Sequence, residues 1–314
     1  MRARLRERLG LGPEQDRVLR DFAADHLRGR ARRARRPGRG APGVERVARD
    51  DLRGLRDATL SEASLLELVA RAEASPTRRL RRGGRTWVAE LEHAGRRYVV
   101  KGCDAGSFAE RCVARLRGTR AARAFAKGRR DQLLLGRAAR PLAALDAERG
   151  GLPGACWLVL EAVAGVDLDR HRPASTERAL ALANALGEWL AELHALGLGH
   201  ADLKGSNLRV EEVGETFRFR LLDLEDLVGP ARPTDEARLV ALAQLNASIA
   251  DEDLSCAARE AFLARYLARL PFDDPKLDQA GARREIARRS LARRHRFRGI
   301  GCEGVEPGLS PPSP

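Results

Sequence analysis

Residues 200–207 read His-Ala-Asp-Leu-Lys-Gly-Ser-Asn and constrain this chain more than any other stretch of its sequence. A second polar group follows in residues 221–226, Leu-Leu-Asp-Leu-Glu-Asp, where Asp223 comes sixteen positions after Asn207. Together they read H-x-D-L-K-x-x-N, a spacer, and L-L-D. A base, a cation and two oxygen ligands for a metal at this spacing are what phosphoryl transfer from a nucleotide requires.

The composition is that of a cytosolic protein. The chain has 314 residues, enough for one large domain or two small ones. Its five cysteines are scattered without C-x-x-C spacing, which favours reduced thiols over a disulfide framework or a zinc site. No apolar stretch follows the charged N-terminus, and no run of about 18 apolar residues occurs. We therefore expect a cytoplasmic location, without a secretory signal or a transmembrane helix.

The net charge of +14 is concentrated at the two ends. Residues 1–45 contain 13 Arg against 6 acidic residues, and residues 276–314 contain 9 Lys and Arg against 4 acidic residues. Such ends suit an anionic surface, and we expect a membrane in preference to nucleic acid. This would place the protein peripherally on the inner face of the cytoplasmic membrane. The alternative is a solvated tail that binds nothing, and the sequence leaves the oligomeric state open.

The hydrophobic pattern predicts strands first and helices later. Two segments around the turn signal Ala94-Gly95 predict a β-hairpin that ends on Lys101. Gly83 and Gly84 precede the hairpin, where glycines let backbone N–H groups approach phosphates closely. Two more strands are predicted over 141–145 and 155–161, and helices over 14–27, 46–75, 107–135, from Ser175 to Gly197, and over 234–270.

These residues resemble the protein-kinase-like superfamily and, within it, the bacterial lipopolysaccharide kinases, which phosphorylate heptose or Kdo sugars of the lipid A core. The resemblance runs from about Arg85 to Tyr266. Besides the two motifs above, it includes Arg-Ala-Phe-Ala-Lys-Gly at 123–128, Arg-Pro-Leu-Ala at 140–143 and Leu-Ala-Gln-Leu-Asn at 242–246. Only the match at 200–207 is highly specific.

The resemblance implies an α+β, two-lobed protein-kinase-like fold, with a small antiparallel β-rich N-lobe and a larger α-helical C-lobe. On this basis we expect four segments. They are a basic N-terminal extension over 1–75, partly helical or disordered, the N-lobe over 76–165, the C-lobe over 166–275 and a basic C-terminal tail over 276–314.

The resemblance also implies an ATP- and Mg²⁺-dependent kinase and assigns roles to individual residues. Asp202 is the expected base and Lys204 the cation that neutralises the moving phosphoryl group. Asn207 and Asp223 are the expected Mg²⁺ ligands, since this ion prefers oxygen. The nucleotide is expected at Gly83, Gly84, Lys101 and Glu161. His200 is expected to bond nearby backbone, and Glu225 and Asp226 to form a solvated turn rather than to assist Asp223.

One feature departs from the superfamily. Its kinases usually hold the strand lysine with a helix glutamate, but residues 111–130 contain no acidic residue. Glu110 and Asp131 are the two candidates for this acid, and the sequence does not choose between them. The usual partner of Lys101 is therefore in question.

The short stretch after Asp223 bears on the acceptor. About ten residues separate it from the next helical pattern at Thr234, and no Ala-Pro-Glu closes a peptide-binding segment. We therefore expect a hydroxyl of a lipid-linked sugar as the acceptor. The alternatives are a serine/threonine protein kinase, or a weakly active pseudokinase that serves as a scaffold on anionic surfaces.

Overall fold

The computed structural model describes residues 43–75, 78–79, 85–134, 136–229, 231–250 and 255–293. The predicted helix at 14–27 and the glycines Gly83 and Gly84 lie outside these residues. In the described part, an antiparallel sheet dominates the first half of the chain and helices dominate the second half. The expected α+β class is confirmed.

Seven strands form the sheet of the N-lobe, in the order β1-β2-β6-β7-β5-β4-β3. They are β1 (Val44–Arg49), β2 (Leu52–Asp57), β3 (Arg78–Arg79), β4 (Thr86–His93), β5 (Arg96–Cys103), β6 (Pro141–Arg149) and β7 (Leu152–Glu161). The hairpin β4–β5 confirms the prediction around Ala94-Gly95, where both turn residues have positive φ. Lys101 lies within β5, which continues for two more residues.

The structure differs from the prediction over residues 46–75. We expected a helical pattern throughout, but a hairpin of β1 and β2 comes first and only Glu62–Ala74 forms a helix, α1. Leu52 and Leu55 have helical spacing, yet Gly54 between them lies so close to β6 that a Cβ would meet the backbone of Ala144. The N-lobe sheet therefore includes β1 and β2, which belong to the segment 1–75 that we expected to be a separate N-terminal extension.

Two helices replace the single one predicted over 107–135. They are α2 (Phe108–Arg117) and α3 (Arg120–Leu134), and the chain turns between them at Gly118, which has φ +80°. This conformation favours glycine and interrupts a helix. The predicted strands at 141–145 and 155–161 are present in β6 and β7, with Gly150 and Gly151 in the connecting turn.

The C-lobe is mainly helical. Its helices are α4 (Thr176–Ala195), α5 (Asp235–Ser248), α6 (Cys256–Arg269) and α7 (Gln279–Leu291). Ser175 caps α4 as predicted, and the leucine stripe that begins at Leu182 is buried. Five short strands complete the lobe as two small sheets: β8 (Val166–Asp167), β9 (Gly199–His200), β10 (Leu208–Val213), β11 (Thr216–Leu221) and β12 (Leu227–Val228).

Helix α7 corrects the expectation of a basic tail from residue 276. Its charged residues face outward, while small and apolar side chains such as Ala282 and Ile286 are buried. Ser290 joins it to α5, donating to Ala243 O at 3.3 Å and accepting from Asn246 at 3.0 Å. The C-lobe core thus extends past residue 275. None of the helices in the described residues is both long and apolar enough to cross a membrane.

Candidate active site

Three of the predicted site residues meet in the loop after β9. The Lys204 ammonium donates to Asp202 Oδ2 at 2.6 Å. The Asn207 amide donates to the Asp202 carbonyl at 2.9 Å and to Oδ2 at 3.3 Å. Both side chains of the Lys204–Asp202 pair are partly exposed, so a substrate can reach them. Both side-chain hydrogen bonds within the loop therefore go to Oδ2 of Asp202, and neither goes to Oδ1.

Two side chains of helix α5 form hydrogen bonds with the backbone of this loop. Gln244 accepts from Leu203 N at 3.1 Å and donates to Ala201 O at 3.0 Å, so one side chain clamps two peptide groups. One turn later, Ser248 Oγ accepts from Gly205 N at 2.8 Å. These bonds fix the backbone on both sides of Asp202, which a positioned base requires.

Asp223 follows β11 in a left-handed conformation, with φ +41°. His200 Nε2 lies 3.2 Å from Leu222 O and 3.1 Å from Asp223 O, which confirms that His200 bonds the backbone of this turn. In addition, Leu222 N donates to Asn207 O at 2.8 Å. A main-chain hydrogen bond therefore connects Asn207 to the residue that precedes Asp223.

Several carboxylates lie close together at this site. Burial, followed by the charges of neighbouring carboxylates, chiefly Asp223, raises the pKa of Asp226. Because Asn207 uses its Nδ2 to bond Asp202, its oxygen remains for a cation. In the described ranges no three His, Cys, Asp or Glu side chains cluster as a metal site. One carboxylate and one amide suit Mg²⁺, which keeps several waters and binds substrate phosphates.

Lys101 has a partner other than a helix acid. Its ammonium lies 3.3 Å from Asp223 Oδ1. Of the two candidates, Glu110 caps α2 and forms a bidentate pair with Arg85 at 2.7 and 2.9 Å. Asp131 is buried and accepts from Ala138 N at 2.7 Å. Neither acid takes the role that a helix glutamate has in the superfamily.

Helix α3 instead contributes two cations to the segment after Asp223. Arg120 pairs with the Glu225 carboxylate through two nitrogens: Nε lies 3.0 Å from Oε1 and 2.9 Å from Oε2, and Nη2 lies 2.8 Å from Oε2. The Lys127 ammonium donates to Glu225 O. The expectation that Glu225 belongs to a solvated turn was wrong, because the basic face of α3 packs directly over it. Asp226 is likewise only partly exposed.

Comparison with known proteins identifies the family. The model of the lipopolysaccharide kinase (Kdo/WaaP) family matches residues 69–266. The chain belongs to this family. A solved structure of WaaP in complex with acyl carrier protein aligns with 23% identity over 70% of this chain and 90% of that chain, with a TM-score of 0.47. No protein with a curated description matches. The match to a family of Kdo/WaaP kinases confirms the resemblance based on residues 200–207 and makes this chain a kinase.

In this Kdo/WaaP family member, the side chain of Glu161 lies apart from the Asp202 loop. It stands at the end of β7, 3.8 Å from Arg140, and faces a separate cavity of about 320 Å³. Arg209 and Arg220, side by side on β10 and β11, also line that cavity. The structure thus brings Asp202, Lys204 and Asn207 together, and Lys101 with Asp223, but gives Glu161 different neighbours.

Sequence reasoning missed the supporting residues of this lipopolysaccharide kinase family member. Gln244 lies in the segment 242–246 that resembles the family, but the sequence predicted no role for it. It predicted no role for Ser248 or Arg120 either. Because the partners in these contacts are 34 to 105 positions away, no local pattern indicates them. Only the acid-free run over residues 111–130 was a signal, since many basic residues in a chain whose motifs contain four carboxylates predict ion pairs.

Proposed function

We propose that this chain transfers the γ-phosphoryl group of ATP to a hydroxyl of a lipid-linked sugar. The observation that carries the proposal is the Asp202–Lys204–Asn207 cluster, a base, a cation and a metal-ligand candidate in one rigid loop. Membership of a kinase family supports ATP as the donor. The identity of the sugar rests on the family and on the shape of the segment after Asp223.

The reaction follows from the two oxygens of Asp202. Oδ2 is bonded to Lys204 and Asn207, which leaves Oδ1 to accept the hydroxyl proton as the sugar oxygen forms its bond to phosphorus. The bond between phosphorus and the leaving oxygen of ADP breaks in the same displacement. Lys204, already 2.6 Å from the base, neutralises charge on the phosphoryl group in transit.

Asn207 and Asp223 would hold Mg²⁺, which neutralises phosphate charge when bound. Lys101 would contact the α- and β-phosphates, since its ammonium lies 3.3 Å from Asp223, one of the two proposed Mg²⁺ ligands. Gly83 and Gly84 stay predicted phosphate contacts outside the described residues. Glu161 stays a predicted nucleotide residue through its position at the end of β7, because its side chain is directed to Arg140.

The segment after Asp223 supports a sugar rather than a peptide as the acceptor. Residues 224–226 form one helical turn, and β12 then pairs with β9 at Leu227 and His200. Helix α5 begins at Asp235, so only six residues lie between β12 and α5. In the residues that the structure describes between Asp223 and α5, the chain folds back on the Asp202 loop and offers no extended platform for a polypeptide.

A phosphate-transfer assay tests the proposal. The full chain would be incubated with labelled ATP and Mg²⁺ and with three separate acceptors: membrane lipid, core oligosaccharide and protein. We expect label in the lipid-linked sugar, and loss of transfer by a factor of 10² or more in Asp202→Asn. Asp50→Asn is the matched control, since Asp50 is an exposed turn residue with φ +51° that asparagine adopts well.

Three results would contradict the proposal. Label found only in protein would favour a serine/threonine kinase, and near wild-type transfer by Asp202→Asn would mean that another group is the base. Thermal melting with ATP and Mg²⁺ tests nucleotide binding without any acceptor, and we expect the melting temperature to rise. A chain that transfers no label and whose melting temperature stays unchanged at millimolar ATP and Mg²⁺ would contradict the proposal and favour a scaffold.

A further inference from the structure

Helix α2 exposes an apolar stripe to solvent. In the part of the chain that the structure describes, the exposed large hydrophobic side chains are Phe108, Val113, Leu116, Val166 and Val228. Three of these five lie on this one ten-residue helix, and none of its residues is buried. Phe108 is 71% exposed, Leu116 86% and Val113 49%.

The spacing places these residues on one side of the helix. Phe108, Cys112 and Leu116 recur at every fourth position and Val113 lies beside them, so they form a continuous strip, called here the apolar stripe. Such a strip on a surface helix normally packs against the core. On α2, Phe108, Val113 and Leu116 are exposed and Cys112 is partly covered, which marks the strip as an interaction surface.

Other residues of α2 attach the helix firmly to the N-lobe. The Arg111 guanidinium donates to the carbonyls of Arg149, Leu152 and Pro153 at 2.6, 3.2 and 2.9 Å. At the start of the helix, Ser107 and Glu110 form a capping box, and Glu110 pairs with Arg85. The helix is therefore held in an orientation that directs the apolar stripe outward.

The charge around the stripe indicates its partner. Arg115 and Arg117 lie in the last turn of α2, Arg123 follows in α3, and residues 111–130 contain no acidic residue. An apolar stripe flanked by arginines is typical of helices that lie in the interface of an anionic bilayer. The chain's own ends are basic, and a second copy carries +14, so both would meet like charge here.

We propose that α2 is a membrane-docking helix, which seats the apolar stripe at the headgroup boundary of an anionic bilayer. Phe108 and Leu116 enter the acyl region, and the flanking arginines contact lipid phosphates. Four residues connect α2 to β5, the strand of Lys101, so docking holds the nucleotide lobe against the bilayer. The proposal does not depend on phosphoryl transfer, because it concerns lipid without sugar.

Vesicle co-sedimentation of the full chain tests this surface. The vesicles would contain phosphatidylglycerol and phosphatidylethanolamine, with phosphatidylcholine vesicles as the uncharged comparison. We expect binding to the anionic vesicles and a loss of roughly tenfold in affinity for each of Phe108→Ser and Leu116→Ser, since each removes an anchor of several methylene equivalents. Both side chains are exposed, so the variants should melt like the wild type.

Val166→Ser is the matched control, because it removes an exposed valine (45%) on the other lobe and should leave binding unchanged. Deleting residues 1–42 gives the contribution of the basic N-terminal end. The proposal is overturned if Phe108→Ser and Leu116→Ser bind like the wild type, whether the deletion abolishes binding or not. It is also overturned if these variants lose only self-association in analytical ultracentrifugation, which would assign the stripe to a second copy.

A second measurement gives the depth of α2 directly. In Leu116→Trp the new indole is exposed, whereas Trp87, Trp157 and Trp189 are buried. Anionic vesicles should shift its emission to the blue, and brominated lipid should quench it. An emission spectrum that vesicles leave unchanged, under conditions where the chain sediments with them, would show that docking occurs elsewhere.

Discussion

Gly205 packs the loop that contains Asp202 closely against the backbone of Asp169. A Cβ at this position would lie 2.7 Å from Asp169 Cβ, 2.8 Å from Asp169 N and 3.1 Å from Asp169 Cα. Two of these are backbone atoms, so no rotation of the aspartate side chain relieves the contact. Since non-bonded carbon atoms settle at about 3.5 Å or more, Gly205→Ala must displace the turn at 205–207 by about 1 Å.

That displacement reaches the catalytic groups directly. Lys204 precedes the substituted residue and Asn207 ends the same helical turn, and the 2.8 Å bond from Gly205 N to Ser248 would lengthen. A misplacement of about 1 Å costs on the order of a hundredfold in rate, which corresponds to about 2.7 kcal/mol of barrier. We therefore expect Gly205→Ala to lower kcat/KM for phosphoryl transfer about a hundredfold.

Initial rates of transfer to the accepting fraction would measure this loss. Melting of the variant under the same conditions shows that it is folded, since overpacking costs about 1–3 kcal/mol of stability. Gly154→Ala is the control: it adds the same methyl group on β7, where the nearest atom is 3.3 Å away. A folded Gly205→Ala enzyme with a rate within about threefold of wild type would refute the reasoning, because transition-state geometry would then tolerate the shift.

Two further predictions follow from shifted pKa values. Burial, followed by the charge of Arg238, lowers the pKa of His194 to about 3. Because the unfolded chain gains this proton near pH 6.5, the free energy of unfolding should fall as the pH drops below that value, by up to about 1.4 kcal/mol per pH unit, and His194→Gln should remove this slope in urea titrations. A hydrogen bond with the Cys156 thiol, which outweighs burial, lowers the pKa of Cys103 to about 6. Iodoacetamide should therefore alkylate Cys103 faster than Cys112 at neutral pH, as followed by peptide mass spectrometry, and equal rates would contradict this assignment.

The parts of the fold that local patterns specify could be predicted from the sequence. The hairpin β4–β5 has a turn signal between alternating strands, and α4 has a cap at Ser175 and a regular leucine stripe. The sequence also predicted that the polar residues of the loop at 200–207 act together, because phosphoryl transfer needs given residue types at fixed spacing. The structure places Asp202 and Asn207 within hydrogen-bonding distance, as that spacing implies.

The predictions that were wrong depend on contacts between segments that are distant in the sequence. Leu52 and Leu55 have the spacing of a helix, and only the presence of β6, about ninety positions later, makes their segment a strand. Helix α7 has a basic sequence, so its buried face becomes evident only when α5 covers it. For the same reason, the sequence predicted a solvated Glu225, because nothing near it in the chain indicates the contact with Arg120 of α3.

The contact between Lys101 on β5 and Asp223 after β11 links ligand binding at one residue to ligand binding at the other. The ammonium and the carboxylate neutralise one another at 3.3 Å, across a separation of 122 positions in the chain. A ligand that attracts either group leaves the other with uncompensated charge. Anion binding at Lys101 and cation binding at Asp223 must therefore strengthen each other reciprocally. If the proposed phosphate donor binds Lys101 and its counterion binds Asp223, the two would bind cooperatively, and each alone would have to compete with this internal salt bridge.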